Sequence, residues 1–204
     1  MARLSRKFYQ RDAETLARAL LGQVLVRVLA DGTRLAGRIV ETEAYLGVED
    51  KAAHSYGGRH TPRNAAMWGP AGHAYVYFIY GMHYCMNVVA RRAGDPQAVL
   101  LRALEPLEGP EVMRVNRAGR IPVARLKPRN LCSGPARLCQ ALAIDRALDH
   151  TDLVTGSALF IERGCRVPPE RIMASPRIGI DYAGEWAHKP LRFVIAEDKD
   201  RGAA

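Results

Sequence analysis

The groups in this 204-residue chain best suited to chemistry are one carboxylate, one arginine and a run of aromatics. Glu43 lies in Glu41-Thr42-Glu43-Ala44-Tyr45, at the end of a strand-like segment. A carboxylate delivered by a rigid strand is well placed for catalysis. Arg102 is the one charge in the apolar stretch 98–104. It has to meet a carboxylate or the solvent at the sheet end, and Glu43 is an available partner. The stretch 75–87 holds four of the chain's eight tyrosines and almost no charge. An apolar run bounded by turn residues reads as buried strand, and Gly81 breaks it in two. The expectation is a hairpin with its tip at Tyr80-Gly81-Met82. Tyr80 and Met82 would then protrude where turns are normally polar. In a basic protein a protruding aromatic suits stacked bases; the competing expectation is that Tyr80 folds back into the core. A strand-end carboxylate, tyrosines and a histidine that could share one pocket, and a basic surface suit water activation beside a flat aromatic substrate.

The elements that must position these groups can be read along the chain. Asp12 can cap a helix over 12–21 that Gly22 ends. Strands over 24–29 and 33–41 are joined by Asp31-Gly32, a hairpin signal, and the second runs on to Tyr45. Residues 46–72 are rich in Gly and Pro and read as a long loop with short helical turns. It carries His54, Arg59, His60, Thr61, Arg63 and Asn64, a mix suited to phosphate contact or to a solvated loop. A turn over 91–96, a strand over 98–104 and a helix over 107–117 with Pro110 in its first turn follow. A basic irregular stretch holds Arg117, Arg120, Arg125, Lys127 and Arg129. Ser133-Gly134-Pro135 opens a further helix, with Ser133 as its cap and a possible phosphate seat. Closing strands are expected over 158–162, 171–174 and 191–196, a turn-rich link over 181–189 anchored by Trp186, and a frayed tail over 199–204. Antiparallel strands without regular βαβ order make the class α+β. The length fits one domain over 1–204, with its core over about 12–196.

Composition narrows the function. The formal charge of +9 points to a polyanion partner. The four cysteines Cys85, Cys132, Cys139 and Cys165 form no C-x-x-C pair and sit among apolar residues, so buried reduced thiols are expected. No apolar stretch approaches the ~20 residues that span a bilayer, and the N-terminus has no secretory pattern. The expectation is a soluble, cytoplasmic protein. No phosphate-binding glycine loop supports a nucleotide cofactor, no G-x-S-x-G is present, and the scattered histidines argue for no metal.

The residues also match a known family. Glu41-Thr42-Glu43-Ala44-Tyr45, Ala52-Ala53-His54-Ser55, Thr61-Pro62-Arg63-Asn64, Tyr75-Val76-Tyr77, Tyr80-Gly81-Met82, Met86-Asn87, Leu100-Leu101-Arg102-Ala103-Leu104-Glu105-Pro106, Cys132-Ser133-Gly134-Pro135, Gly184-Glu185-Trp186-Ala187 and Pro190-Leu191-Arg192-Phe193 follow in that order. The chain closely resembles the alkyladenine (methylpurine, 3-methyladenine) DNA glycosylases from about Asp12 to Phe193.

That resemblance implies a single α+β domain around a curved antiparallel sheet with surrounding helices and a protruding β-hairpin, similar to the formyltransferase C-terminal domain. It implies a monofunctional glycosylase of base excision repair, acting as a monomer on damaged purines in double-stranded DNA, with no metal, cofactor or membrane. Glu43 would be the general base, and Arg102 would hold water and carboxylate. Tyr45, His54 and Tyr77 would stack around the flipped purine, with Ala52 and His54 near its edge and Leu100 in the same pocket. Asn87 would crowd the amino group of guanine. Tyr80 would wedge into the minor groove, with Met82 and Met67 in or beside it, and Arg59 and Thr61 would touch the backbone. Three departures from the animal members stand out: no long basic arm ahead of the domain, different turns at 68–72 and 91–97, and His83 where a tyrosine is familiar. The short form suggests a bacterial-type protein. A damage-binding module and a free-nucleoside hydrolase are the alternatives.

Overall fold

Strand β2 (Arg34–Tyr45) is the spine of the molecule. The computed structural model describes residues 2–118 and 125–196; the expectations for Arg120 and for the tail 199–204 lie outside them. Strand β1 (Val24–Val28) pairs with the first half of β2. The turn between them closes as expected: the Thr33 amide donates to Asp31 Oδ1 at 2.9 Å, and Gly32 takes φ +85°. The second half of β2 pairs on the same edge with β8 (Arg192–Ile195). Along its other edge runs β5 (Ala98–Glu108). The β2–β5 register shifts at three places, including both sides of Glu41. Such bulges bend a strand and re-aim its side chains.

The remaining strands extend this antiparallel sheet. Strands β3 (Ala74–Ile79) and β4 (His83–Val89) form the tyrosine hairpin, and β4 joins β5. Strand β6 (Leu159–Glu162) pairs with β1, and β7 (Ile172–Ser175) with β8. The path is β3-β4-β5-β2-β1-β6, with β8 and β7 branching from β2. The α+β single-domain reading holds, as a curled antiparallel half-barrel with helices around it.

Helix α1 (Arg6–Tyr9) is a single turn. In α2 (Ala13–Leu20), Asp12 accepts the Thr15 amide at 2.9 Å as the expected cap. The helix buries Ala13, Leu16, Ala17 and Leu20, the i, i+3, i+4, i+7 stripe of an amphipathic helix. It packs behind β2, where the Thr42 hydroxyl donates to the Ala17 carbonyl at 3.0 Å. Successive strand residues face opposite ways, so Glu41 and Glu43 point to the other side of the sheet from α2.

Two helix expectations need correction. The helix expected over 107–117 starts only at Pro110, as α3 (Pro110–Arg117). Leu107 and Glu108 continue β5, and Gly109, at φ +69°, turns the chain between them. Helix α4 (Pro135–Ala141) takes Gly134 as its N-cap, not Ser133, so the capping expectation for Ser133 fails. Ser133 instead makes an isolated bridge to Ala103 and receives a bond from Arg137. Leu138, Cys139, Leu142 and Ile144 are all buried, but the helix ends at Ala141, and Ile144 reaches the core from the turn beyond it, where Ala143 takes φ +50°.

The loop 46–72 is ordered, with short 3-10 turns at Gly47–Glu49, Tyr56–Gly58 and Ala65–Trp68. Two buried polar side chains hold it. Asp50 accepts the amides of Leu46 and Ala52. Asn64 donates to the carbonyls of His54 and Arg59 and accepts from the amide and hydroxyl of Thr61. Asn64, grouped above with surface residues for phosphate, is therefore an internal strut. Cys165 is exposed, against the expectation of four buried thiols; the other three are buried.

Candidate active site

Glu43 is wholly buried, although it is a carboxylate. Three donors account for that. The Ile178 amide donates to Oε1 at 2.9 Å, the Tyr45 hydroxyl to Oε2 at 3.0 Å, and Arg102 Nη1 lies 3.2 Å from Oε1. Burial raises the Glu43 pKa above the ordinary carboxylate value, and Arg102, the Ile178 amide and Tyr45 oppose that shift. Burial and the Glu43 charge push the Tyr45 phenol well up, so it stays a donor.

Arg102 meets two carboxylates rather than one. Its Nε donates to Glu41 Oε1 at 2.9 Å, and Arg192 donates to the same oxygen at 3.0 Å. The anticipated Glu43 partnership is present, and Glu41 fixes the other edge of the guanidinium. Glu41 was quoted within the motif without being assigned this part. The bulges on either side of it bring both carboxylates to one arginine.

Above Glu43 opens a cavity of about 300 Å³ lined by Tyr45, Ala52, His54, Tyr77, Asn87 and Leu100, among others. The sequence-based pocket residues therefore do converge. Tyr75 stacks beneath Tyr77 at 4.9 Å, and His54 meets Tyr77 edge-on at 4.7 Å. The Tyr75 hydroxyl lies 2.8 Å from His54 Nδ1. Sequence reasoning gave Tyr75 no such part. Burial, and then the charges of Arg63 and Arg59, pull the His54 pKa down to about 4. His54 as a whole is exposed, so water screens part of that shift. A neutral imidazole with Nδ1 occupied by Tyr75 leaves Nε2 to meet a ring edge. The Ala52 amide is already donated to Asp50, so Ala52 has only its carbonyl to offer. Asn87 is buried, and its Oδ1 has no partner among the described residues.

The hairpin tip resolves the Tyr80 question. Tyr80 is 84 % exposed and Met82 68 %. Tyr80 and Gly81 both take positive φ, +51° and +67°, and the Met82 amide returns to the Ile79 carbonyl at 3.2 Å. Left-handed backbone at a tyrosine costs about 1–2 kcal/mol, and here it turns the ring away from the core. Arg63 props the hairpin by donating to the Phe78 carbonyl. Met67 is not at this surface: it is 1 % exposed and belongs to the pocket wall, with Tyr75, Tyr77 and Leu100. Arg59 is exposed, whereas the Thr61 hydroxyl is engaged by Asn64.

The far rim comes from the chain's C-terminal part, where Ile178, Gly179, Ile180 and Tyr182 line the cavity. Arg177 locks that rim to the loop 46–72. It binds Asp50 through both nitrogens, at 2.6 and 2.8 Å, with both side chains fully buried. It also donates to the Ala44 carbonyl and lies 4.6 Å over the Tyr45 ring. No sequence signal joined two residues so far apart in the chain. Among the described residues no group of three His, Cys, Asp or Glu could hold a metal ion, and no helix is long and apolar enough to cross a membrane.

The site thus joins a buried, hydrogen-bonded carboxylate to an aromatic-lined cavity beneath an exposed apolar tip. The chain belongs to the methylpurine-DNA glycosylase family, whose model matches residues 7–199. Over 198 residues it is 58 % identical to the DNA-3-methyladenine glycosylase of Mus musculus, covering 95 % of this chain and 59 % of that protein. The Homo sapiens DNA-3-methyladenine glycosylase is 55 % identical over 203 residues, 96 % of this chain and 66 % of that protein. The chain thus spans about three fifths to two thirds of these mammalian relatives. A relative from Desulfitobacterium hafniense is 48 % identical over 201 residues, 98 % of both chains.

Proposed function

We propose that the protein is a monofunctional DNA glycosylase of base excision repair. It acts as a monomer in the cytoplasm on duplex DNA carrying damaged purines: 3-methyladenine, 7-methylguanine, hypoxanthine and ethenoadenine. The observation that carries this reading is Glu43, buried at the floor of an aromatic pocket with three donors upon it. Membership of the methylpurine-DNA glycosylase family supports this substrate class.

Glu43 takes a proton from water while the water oxygen bonds to the anomeric carbon. The bond from that carbon to the purine nitrogen breaks, and its electron pair leaves with the base. The sugar passes through an oxocarbenium-like state that a nearby anion stabilises. Arg102, fixed by Glu41, orients carboxylate and water. A purine alkylated at N3 or N7 is cationic and departs without a proton; face-on stacking with Tyr45 and Tyr77 favours that charge. A neutral base such as hypoxanthine needs a proton donor. His54 Nε2 and the Ala52 carbonyl meet the base edge, Leu100 and Met67 wall the slot, and Asn87 crowds the guanine amino group. Tyr80 enters the stack in place of the extruded base, with Met82 beside it. Arg59 contacts phosphate, and Thr61, whose amide and hydroxyl both donate to Asn64, lies beside it on the same loop.

The exposed Tyr80 favours a duplex over a free nucleoside, because a nucleoside hydrolase has no stack to fill. The test is hypoxanthine release by wild type and Tyr80→Ala, from duplex DNA and from free inosine. The expected result is no action on inosine and excision from duplex reduced about tenfold or more by the substitution. Inosine cleavage unaffected by the substitution would establish the nucleoside reading instead.

A further inference from the structure

Behind the sheet lies a second and larger cavity, of about 630 Å³. Helix α2 forms one wall through Thr15, Arg18 and Ala19. Thr42 points to α2, and its neighbour Glu43 points away. The cavity therefore opens on the face opposite the aromatic pocket.

Its floor is aliphatic and aromatic, with Phe8, Leu21, Val167 and Ile172; its rim is cationic. Arg11, Arg18, Arg163 and Arg166 line it, and among the described residues no carboxylate does. Arg18 is paired with Glu14 at 3.2 Å, and Arg11 lies over the Phe8 ring. The side chains of Arg163 and Arg166 are exposed and have no hydrogen-bond or ion-pair partner among the described residues. The groove is also preformed. The segment 163–167 is clamped to the turn after α2, where the Gly164 amide donates to Gln23 Oε1 at 3.1 Å. A Cβ on Gly164 would stand 2.0 Å from the Gly22 carbonyl oxygen, and one on Gly22 2.1 Å from that of Cys165. A rigid apolar slot beside unpaired guanidiniums costs little reorganisation on binding.

We propose that this groove docks a short acidic peptide segment of a partner protein, with one apolar side chain on the floor and flanking carboxylates on Arg163 and Arg166. Carboxylates match guanidinium forks, and the apolar floor would offer a phosphate backbone nothing. A second copy of this chain, at +9, would bring like charge to the rim.

The test is fluorescence anisotropy of the full chain with a panel of labelled peptides, each carrying one Leu, Phe or Trp between pairs of Asp or Glu. Controls carry Ser at the anchor or Lys at the acidic positions. At least one acidic peptide should saturate with a Kd on the order of tens of micromolar. R163E/R166E, and Ser at the anchor, should each weaken it about tenfold or more. Excision from a hypoxanthine duplex should not change in R163E/R166E. The proposal is overturned if no panel member binds, if the reversed-charge variant binds equally, or if anchorless peptides bind as well. It is also overturned if R163E/R166E abolishes a dimer seen in sedimentation, or loses excision.

Discussion

At the level of single residues the account turns on Glu43. Its pKa is raised because burial outweighs three donors. A general base must be ionised, so excision should fail as pH drops through that raised value. The acid limb of kcat/KM for duplex hypoxanthine should lie above the ordinary carboxylate value of about 4.3, falling about tenfold per pH unit below it. Glu41→Gln removes the second anion on Arg102, leaves more of its charge for Glu43, and should move the limb to lower pH. A limb unmoved by Glu41→Gln would detach Glu41 from the site. Glu43 and Arg102 were legible because a charge in an apolar strand requires a partner, whereas the Tyr45 bond to Glu43 was not. Met67, which the resemblance places at the groove, is instead buried in the pocket wall, a position nothing local in the sequence marks. Tyr75 was passed over because its hydroxyl finds His54 only through the fold.

At the level of elements, the aromatic slot is held by two segments that meet through Arg177 and Asp50. A buried pair broken on one side leaves an uncompensated charge. Asp50→Asn should therefore cost about 3–5 kcal/mol in urea unfolding, whereas Glu185→Ala, which breaks the exposed pair with Lys51 at 3.3 Å, should cost about 1 kcal/mol or less. Equal, small losses would mean that Arg177 is not a clasp. The Asp12 cap, the Asp31-Gly32 turn and the tyrosine hairpin were readable because each is local chemistry within a few residues. The start of α3 was not, because the apolar and charged residues at 107–108 suit a strand end and a helix start equally well. The Arg177–Asp50 clasp joins residues 127 positions apart, and nothing local announces it.

At the level of the whole molecule, one sheet separates two faces. One bears the aromatic slot and hairpin, the other the arginine-rimmed groove. A chain of +9 that grips phosphates should bind undamaged duplex with an affinity that falls steeply with salt, as counterions are released; a flat response would contradict a phosphate-tracking surface. The α+β class could be read from the strand pattern, but the branching of β1 and β8 from one edge of β2 could not, because bulges decide it. The most direct measurement is single-turnover base release from a hypoxanthine duplex by wild type and Glu43→Gln, with duplex binding measured in parallel. Glu41 still pairs with Arg102 in this variant, so it should fold and bind duplex as wild type does. The account predicts alkali-labile sites with wild type and essentially none with Glu43→Gln. Full release by the variant would contradict it.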